Sequence, residues 1–220
     1  VTIIQHGSRV AANGDLRLEV SPGQWSPVPT GGEQVVNKEQ RTITQTMSYP
    51  DPSKDKKGFN PINYPDLKFS YKVNVTALQG NQFKVSVDLD KPLPAEWIGK
   101  IGFNFELFPS ELFWKAFLMD EQSGIFPRQS NGPIENIGGE GIATPLASGS
   151  KLVVAPDDDK RRIVIENITK DSGAGKLELW DGRANHNNGW YIVRTPIPAN
   201  ATKNAIEWII TPNVVKGWQY

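Results

Sequence analysis

Apolar and polar side chains alternate with period two over long stretches of this chain. Leu67, Phe69, Tyr71, Val73, Val75 and Ala77 are apolar, and Lys68, Ser70, Lys72, Asn74 and Thr76 stand between them. Successive side chains of a strand point to opposite faces, so this pattern sets one face on a core and the other in water. The alternation resumes after Leu78-Gln79-Gly80-Asn81, with Phe83, Val85, Val87 and Leu89 set against Lys84, Ser86 and Asp88. Gly80 and Asn81 tolerate positive φ, which predicts a β-hairpin with two long arms. Ile101, Phe103, Phe105 and Leu107 alternate with Gly102, Asn104 and Glu106 and predict a third strand.

The same logic predicts shorter strands at 16–20, 42–47, 152–155, 163–168, 177–180, 190–193 and 206–210. Pro22-Gly23, Gly31-Gly32, Pro50-Asp51-Pro52 and Gly138-Gly139 punctuate the gaps. No helical period recurs. The expectation is an all-β chain, an antiparallel β-sandwich of about a dozen strands with at most one or two short helices. One segment, 110–117, stays open. Ser110 can cap a short helix with Glu111 in its first turn, or the aromatics can belong to a bulged strand. Residues 1–220 read as a single domain with polar loop tips at 49–58 and 157–162, and the Gly-rich run 131–149 is either a long loop within it or a linker between two β units.

Charge and composition narrow the function classes. The chain has 220 residues, 24 basic and 24 acidic side chains, no cysteine and two histidines, His6 and His186. A net charge of zero gives nucleic acid or an anionic membrane surface no electrostatic reason to bind. Without cysteine there is no disulfide framework, no thiolate nucleophile and no cysteine-ligated metal. No apolar run approaches 18 residues, so no membrane-spanning helix is expected. Neither a nucleotide-binding glycine motif nor a metal-type spacing occurs, and no cofactor or metal is expected.

Three stretches could carry chemistry. Glu96, Glu106, Glu111 and Asp120 fall in an aromatic-rich region, and a glycosidase needs two carboxylates about 5 to 9.5 Å apart. Glu106 sits on the polar face of its strand, where solvation is the default. The polar run between Trp180 and Trp190 has the composition of a sugar-binding loop. There, Trp180 and Trp190 would stack on a pyranose while Asp181, Arg183, Asn185, His186 and Asn187 bond its hydroxyls. The competing reading places both tryptophans in the core. Finally, Phe113, Trp114 and Phe117, with Phe126, Arg128 and Gln129 beyond them, form a candidate docking patch for another domain.

The run Pro94-Ala95-Glu96-Trp97-Ile98-Gly99-Lys100-Ile101-Gly102-Phe103-Asn104-Phe105-Glu106-Leu107-Phe108-Pro109 carries a resemblance, with Met119-Asp120 and 124–129 continuing it. This middle third of the chain resembles the N-terminal β-sandwich of large secreted glycoside hydrolases from Bacteroidetes. In several such families a β domain of this size precedes an (α/α)-barrel catalytic domain. The resemblance implies an extracytoplasmic, non-catalytic accessory module whose partner is the catalytic domain of the same polypeptide or a glycan. Two rival expectations are a free-standing carbohydrate-binding module and a small β-fold glycan hydrolase or lyase.

Overall fold

A computed structural model describes residues 1–18, 29–49, 69–126, 144–170, 175–182 and 190–215. Along the chain the strands are β1 (Ile3–Gln5), β2 (Ser8–Leu18), β3 (Thr30–Asn37), β4 (Thr42–Ser48) and β5 (Ser70–Ala77). Then come β6 (Phe83–Leu89), β7 (Ile101–Leu107), β8 (Ala116–Met119), β9 (Gln122–Ile125) and β10 (Ala147–Gly149). The last five are β11 (Lys151–Val154), β12 (Ile163–Asn167), β13 (Leu177–Asp181), β14 (Tyr191–Pro196) and β15 (Ile206–Pro212). They assemble into a six-stranded sheet, β1-β2-β7-β14-β13-β10, and a nine-stranded sheet, β3-β4-β5-β6-β15-β12-β11-β8-β9. Every pairing is antiparallel. Two short 3-10 turns, Ala95–Trp97 and Pro109–Glu111, break the run of strands between β6 and β8. This is the expected antiparallel sandwich, with fifteen strands among the described residues.

The long hairpin forms as its alternation predicts. Val73 faces Val87 and Val75 faces Val85 across β5 and β6. Gly80 makes the turn at φ +64°, and the Leu78 N–H donates to the Gln82 carbonyl at 2.9 Å. The inner residues of β7, Ile101, Phe103 and Phe105, are fully buried. Its outer face is not solvated as alternation alone would have it, since Asn104 is buried as well. β7 lies between β2 and β14, and Gly102 leaves room there for Arg194. A Cβ on Gly102 would fall 2.5 Å from Arg194 Nε, and Arg194 Nη2 donates to the Lys100 carbonyl at 2.7 Å.

Segment 110–117 is neither a helix nor a bulged strand. A 3-10 turn ends at Glu111, Trp114 takes a left-handed conformation at φ +69°, and β8 starts only at Ala116. The expected loop at 131–149 gives way to β10 at Ala147, which pairs with Leu179 of β13, and 131–143 lie outside the described residues. Of the polar tip at 49–58 only Tyr49 is described, and it is buried. The tip at 157–162 is the β11–β12 turn, where the Arg161 and Arg162 N–H groups both donate to the Asp158 carbonyl. β2 begins far earlier than the predicted strand at 16–20. It contains a bulge in which Asn13, at φ +54°, and Gly14 occupy the space opposite Phe105. A Cβ on Gly14 would meet the Phe105 ring at 2.7 Å, so a larger residue there would push the bulge off the core.

One apolar cluster fills the space between the sheets. At its centre Trp208 of β15 crosses to the opposite layer, edge-on to Phe103 of β7 at 4.9 Å, with Nε1 donating to Thr195 Oγ1 of β14 at 3.2 Å. The nine-stranded sheet outreaches its six-stranded partner. The core-facing row Trp208–Val85–Val75 continues outward through Ile43 to Val36. Trp208 and Val85 are fully buried, whereas Ile43 is 45% and Val36 58% exposed. Among the described residues, therefore, no second layer lies above the inner face of β3 and β4.

Candidate functional site

That overhang creates a cleft of about 670 Å³. Its floor is aliphatic, from Ile43, Met47, Val73 and Val75, because those side chains occupy core-facing positions of β4 and β5. Gln34 and Gln45, paired across β3 and β4, bring amides to the same face. The opposite wall is the bulge of β2, with Asn13 and Asp15, and the first residues of the chain. Gln45 Nε2 also closes the β3 bulge by donating to the Gly32 carbonyl at 3.0 Å.

Asp15 is the distinctive group of this wall. Its Oδ1 accepts the Leu16 N–H at 2.8 Å and the Tyr71 hydroxyl. Burial pushes its carboxyl above the ordinary aspartate range, and these bonds oppose the rise without cancelling it. Burial, followed by the Asp15 charge, pushes the Tyr71 phenol up as well. Tyr71 packs with Tyr49 and Phe69, ring centroids 5.8 and 6.3 Å away, and Tyr49 Oη donates to the Leu16 carbonyl at 2.9 Å. Both main-chain groups of Leu16 are thus taken by side chains. Such capping protects a sheet edge against strand addition.

The sequence-derived candidates scatter. Trp180 and Asp181 lie on β13 and Trp190 just before β14; Arg183, Asn185, His186 and Asn187 lie outside the described residues. Trp180 pairs with Ile192, so alternation places Trp180, Ile192 and Trp190 on the outer face of the six-stranded sheet. Both tryptophans are half-buried, which corrects the reading that sets them in the core. Trp180 Nε1 donates to Glu178 at 2.9 Å, and Trp190 meets Phe108 edge-on at 4.0 Å. Asp181 is buried.

The docking patch divides as well. Trp114 is 56% exposed and Phe113 half-buried, but Phe117 and Phe126 belong to the core, where their rings lie 5.2 Å apart. Phe117 packs over Gly124 of the neighbouring strand, where any side chain would collide with its ring. Arg128 and Gln129 lie outside the described residues. What remains exposed near Trp114 is the outer side of β8 and β9, with Leu118 and Ile125.

Three of the four candidate carboxylates hold structural bonds in different parts of the fold. Glu106 accepts from Asn13 at 2.6 Å and lies 3.6 Å from Arg17. Glu111 pairs with Arg161 at 2.6 Å. Asp120 turns the β8–β9 corner at φ +50° and accepts the N–H groups of Ser150 and Lys151 and the Ser150 hydroxyl, at 2.8 to 2.9 Å. Glu96 sits in the first 3-10 turn and is exposed.

The bonds to Asp120, led by the Ser150 N–H, hold its carboxyl below the ordinary value. Stability from such a group is present above the unfolded-state pKa and lost as pH falls through the folded one. Solvent screens this exposed carboxylate, so Asp120→Ala should lower unfolding free energy by only about 0.5–1 kcal/mol at pH 7, and by less at pH 3. Urea unfolding at the two pH values reads this directly; an equal loss at both would deny the charge a part.

Sequence reasoning missed the cleft, because it depends on one sheet being wider than the other and on a bulge at Asn13-Gly14, a pair that reads as a turn. Searches against family models and against curated proteins return no match for this chain.

Proposed function

We propose that this chain is a non-catalytic β-sandwich module of an extracytoplasmic carbohydrate-active enzyme, packing against or assisting a glycoside hydrolase catalytic domain. The observation that carries the reading is Trp114. A bulky residue at positive φ is a strained conformation that the surroundings must hold, and such outliers concentrate at functional positions. Here the strain presents an indole to solvent at the start of β8, near the exposed Leu118 and Ile125. An exposed aromatic with aliphatic neighbours is what a domain interface uses as its anchor. The structural bonds of Glu106, Glu111 and Asp120 agree with an accessory role, since a general acid or nucleophile must be available to substrate. A glycan-binding role is the second reading, favoured by Trp180 and Trp190 sharing one sheet face.

The test is the gene followed by the protein it encodes. The reading frame is expected to join this module to a glycoside hydrolase domain. In that two-domain protein, Trp114→Ser should lower the unfolding temperature of the catalytic domain. A frame without any carbohydrate-active domain overturns the proposal.

A further inference from the structure

We infer that the overhang cleft between the β2 bulge and the inner face of β3, β4 and β5 is a binding site for a neutral oligosaccharide. The inference rests on the carbohydrate-active reading above, and places glycan contact away from the Trp180–Trp190 face. Three features of the cleft select the ligand class.

The first is size and shape. A volume of about 670 Å³ falls within the range of about 300–1,000 Å³ usual for small-ligand sites, and the cleft is open to solvent. The second is chemistry. Ile43, Met47 and Val75 offer C–H surface to the apolar face of a sugar, while Gln34, Gln45 and Asn13 place amides around it. Gln45 Nε2 already donates to the Gly32 and Thr46 carbonyls and Asn13 Nδ2 to Glu106, so these two amides offer chiefly their oxygens to hydroxyl donors. The Gln34 amide can both donate and accept. Oδ1 of Asp15 is occupied by Leu16 and Tyr71, which leaves Oδ2 as a further hydroxyl acceptor on the wall. Among the described residues no lysine or arginine lines the cleft, and the charges of Val1 and Arg17 already act on Asp15, so the wall favours a neutral ligand over a carboxylate or phosphate.

The third feature disfavours a peptide on the β2 wall. An extended peptide binds a sheet by pairing with free main-chain groups at an edge. Along this wall those groups are engaged. Leu16 is capped by Asp15 and Tyr49, and Gly14 exchanges both of its bonds with Val1, at 3.1 and 3.2 Å. On the β2 wall recognition must come from side chains, and the side chains present suit hydroxyls.

The experiment is a titration of the isotopically labelled chain with cellohexaose, xylohexaose and mannohexaose, followed by amide chemical shifts and calorimetry. Hexagalacturonate serves as the anionic comparison. At least one neutral hexaose should shift amides of β3, β4 and the β2 bulge as a contiguous set. Ile43→Glu should weaken that binding by at least about tenfold. Gln34→Trp, on a fully exposed strand, should obstruct the cleft to a similar degree and covers the case of an Ile43 variant that folds poorly. Shifts centred on Trp180 and Trp190, with no effect of either variant, would overturn the site while leaving glycan binding intact. Absence of binding by every neutral hexaose would overturn it too, while the accessory-module reading is decided separately by the reading frame. Equal affinity for hexagalacturonate would contradict the charge argument.

Discussion

Trp208→Ala should lower the unfolding free energy by about 3–5 kcal/mol, the range for deleting a large aromatic from a packed core. Trp208 is fully buried and touches both layers. Its ring lies edge-on to Phe103, and its Nε1 donates to Thr195, which is fully buried. Alanine would remove the ring contact and leave a void between the sheets. It would also leave Thr195 Oγ1 without the indole donor. Trp208→Phe keeps most of the apolar volume and should cost less, with about 1 kcal/mol of its loss due to the missing donor. Urea unfolding measures both, and a lower midpoint with an unchanged slope is the signature of a pure stability change. If Trp208→Ala costs under about 1 kcal/mol, the sheets are held together elsewhere and the central role of this residue is wrong.

The residues around Trp208 also show what a linear pattern can and cannot reveal. β5, β6 and β7 are legible because one face of each carries apolar side chains toward the core, so period two is uninterrupted over seven or eight residues. β3 is not, since all of its residues are exposed and no burial shapes its composition. Gly31-Gly32 and Asn13-Gly14 both carry turn signals, yet each sits in a bulged strand. A glycine needed for close approach and one needed for a turn look alike in sequence. The aromatic cluster at 113–126 misled for a related reason. Nothing local tells that Phe117 and Phe126 point inward while Trp114 points out, because the left-handed turn at Trp114 resets which side chains face the core. The cleft was least legible of all, being set by the difference between six and nine strands.

The wall of that cleft should make the whole fold sensitive to pH through Asp15. Its folded pKa is raised, chiefly by burial, so in the window above the unfolded-state value the folded chain holds more proton than the unfolded one. The sign follows. The stabilising contribution is complete below the unfolded-state pKa and is lost as pH rises through the raised folded value. Each unit of that rise corresponds to about 1.4 kcal/mol. Asp15→Asn keeps an oxygen for the Leu16 N–H and the Tyr71 hydroxyl but cannot ionise. Its stability relative to the native chain should therefore increase from pH 4 to pH 7.

Tyr71→Phe should behave in the opposite sense. It strips the buried carboxylate of its hydroxyl donor, and should cost about 1–3 kcal/mol at pH 7. A bond to a charged acceptor is stronger than one to its neutral form, so the cost should shrink at pH 4. Val1 and Arg17 also influence Asp15 electrostatically, so the comparison needs the double variant Asp15→Asn/Tyr71→Phe. In that background the pH dependence of the Tyr71 effect should disappear. If Tyr71→Phe costs the same at both pH values in the native background, the hydroxyl serves packing alone, and Asp15 is not the group that couples this wall to pH.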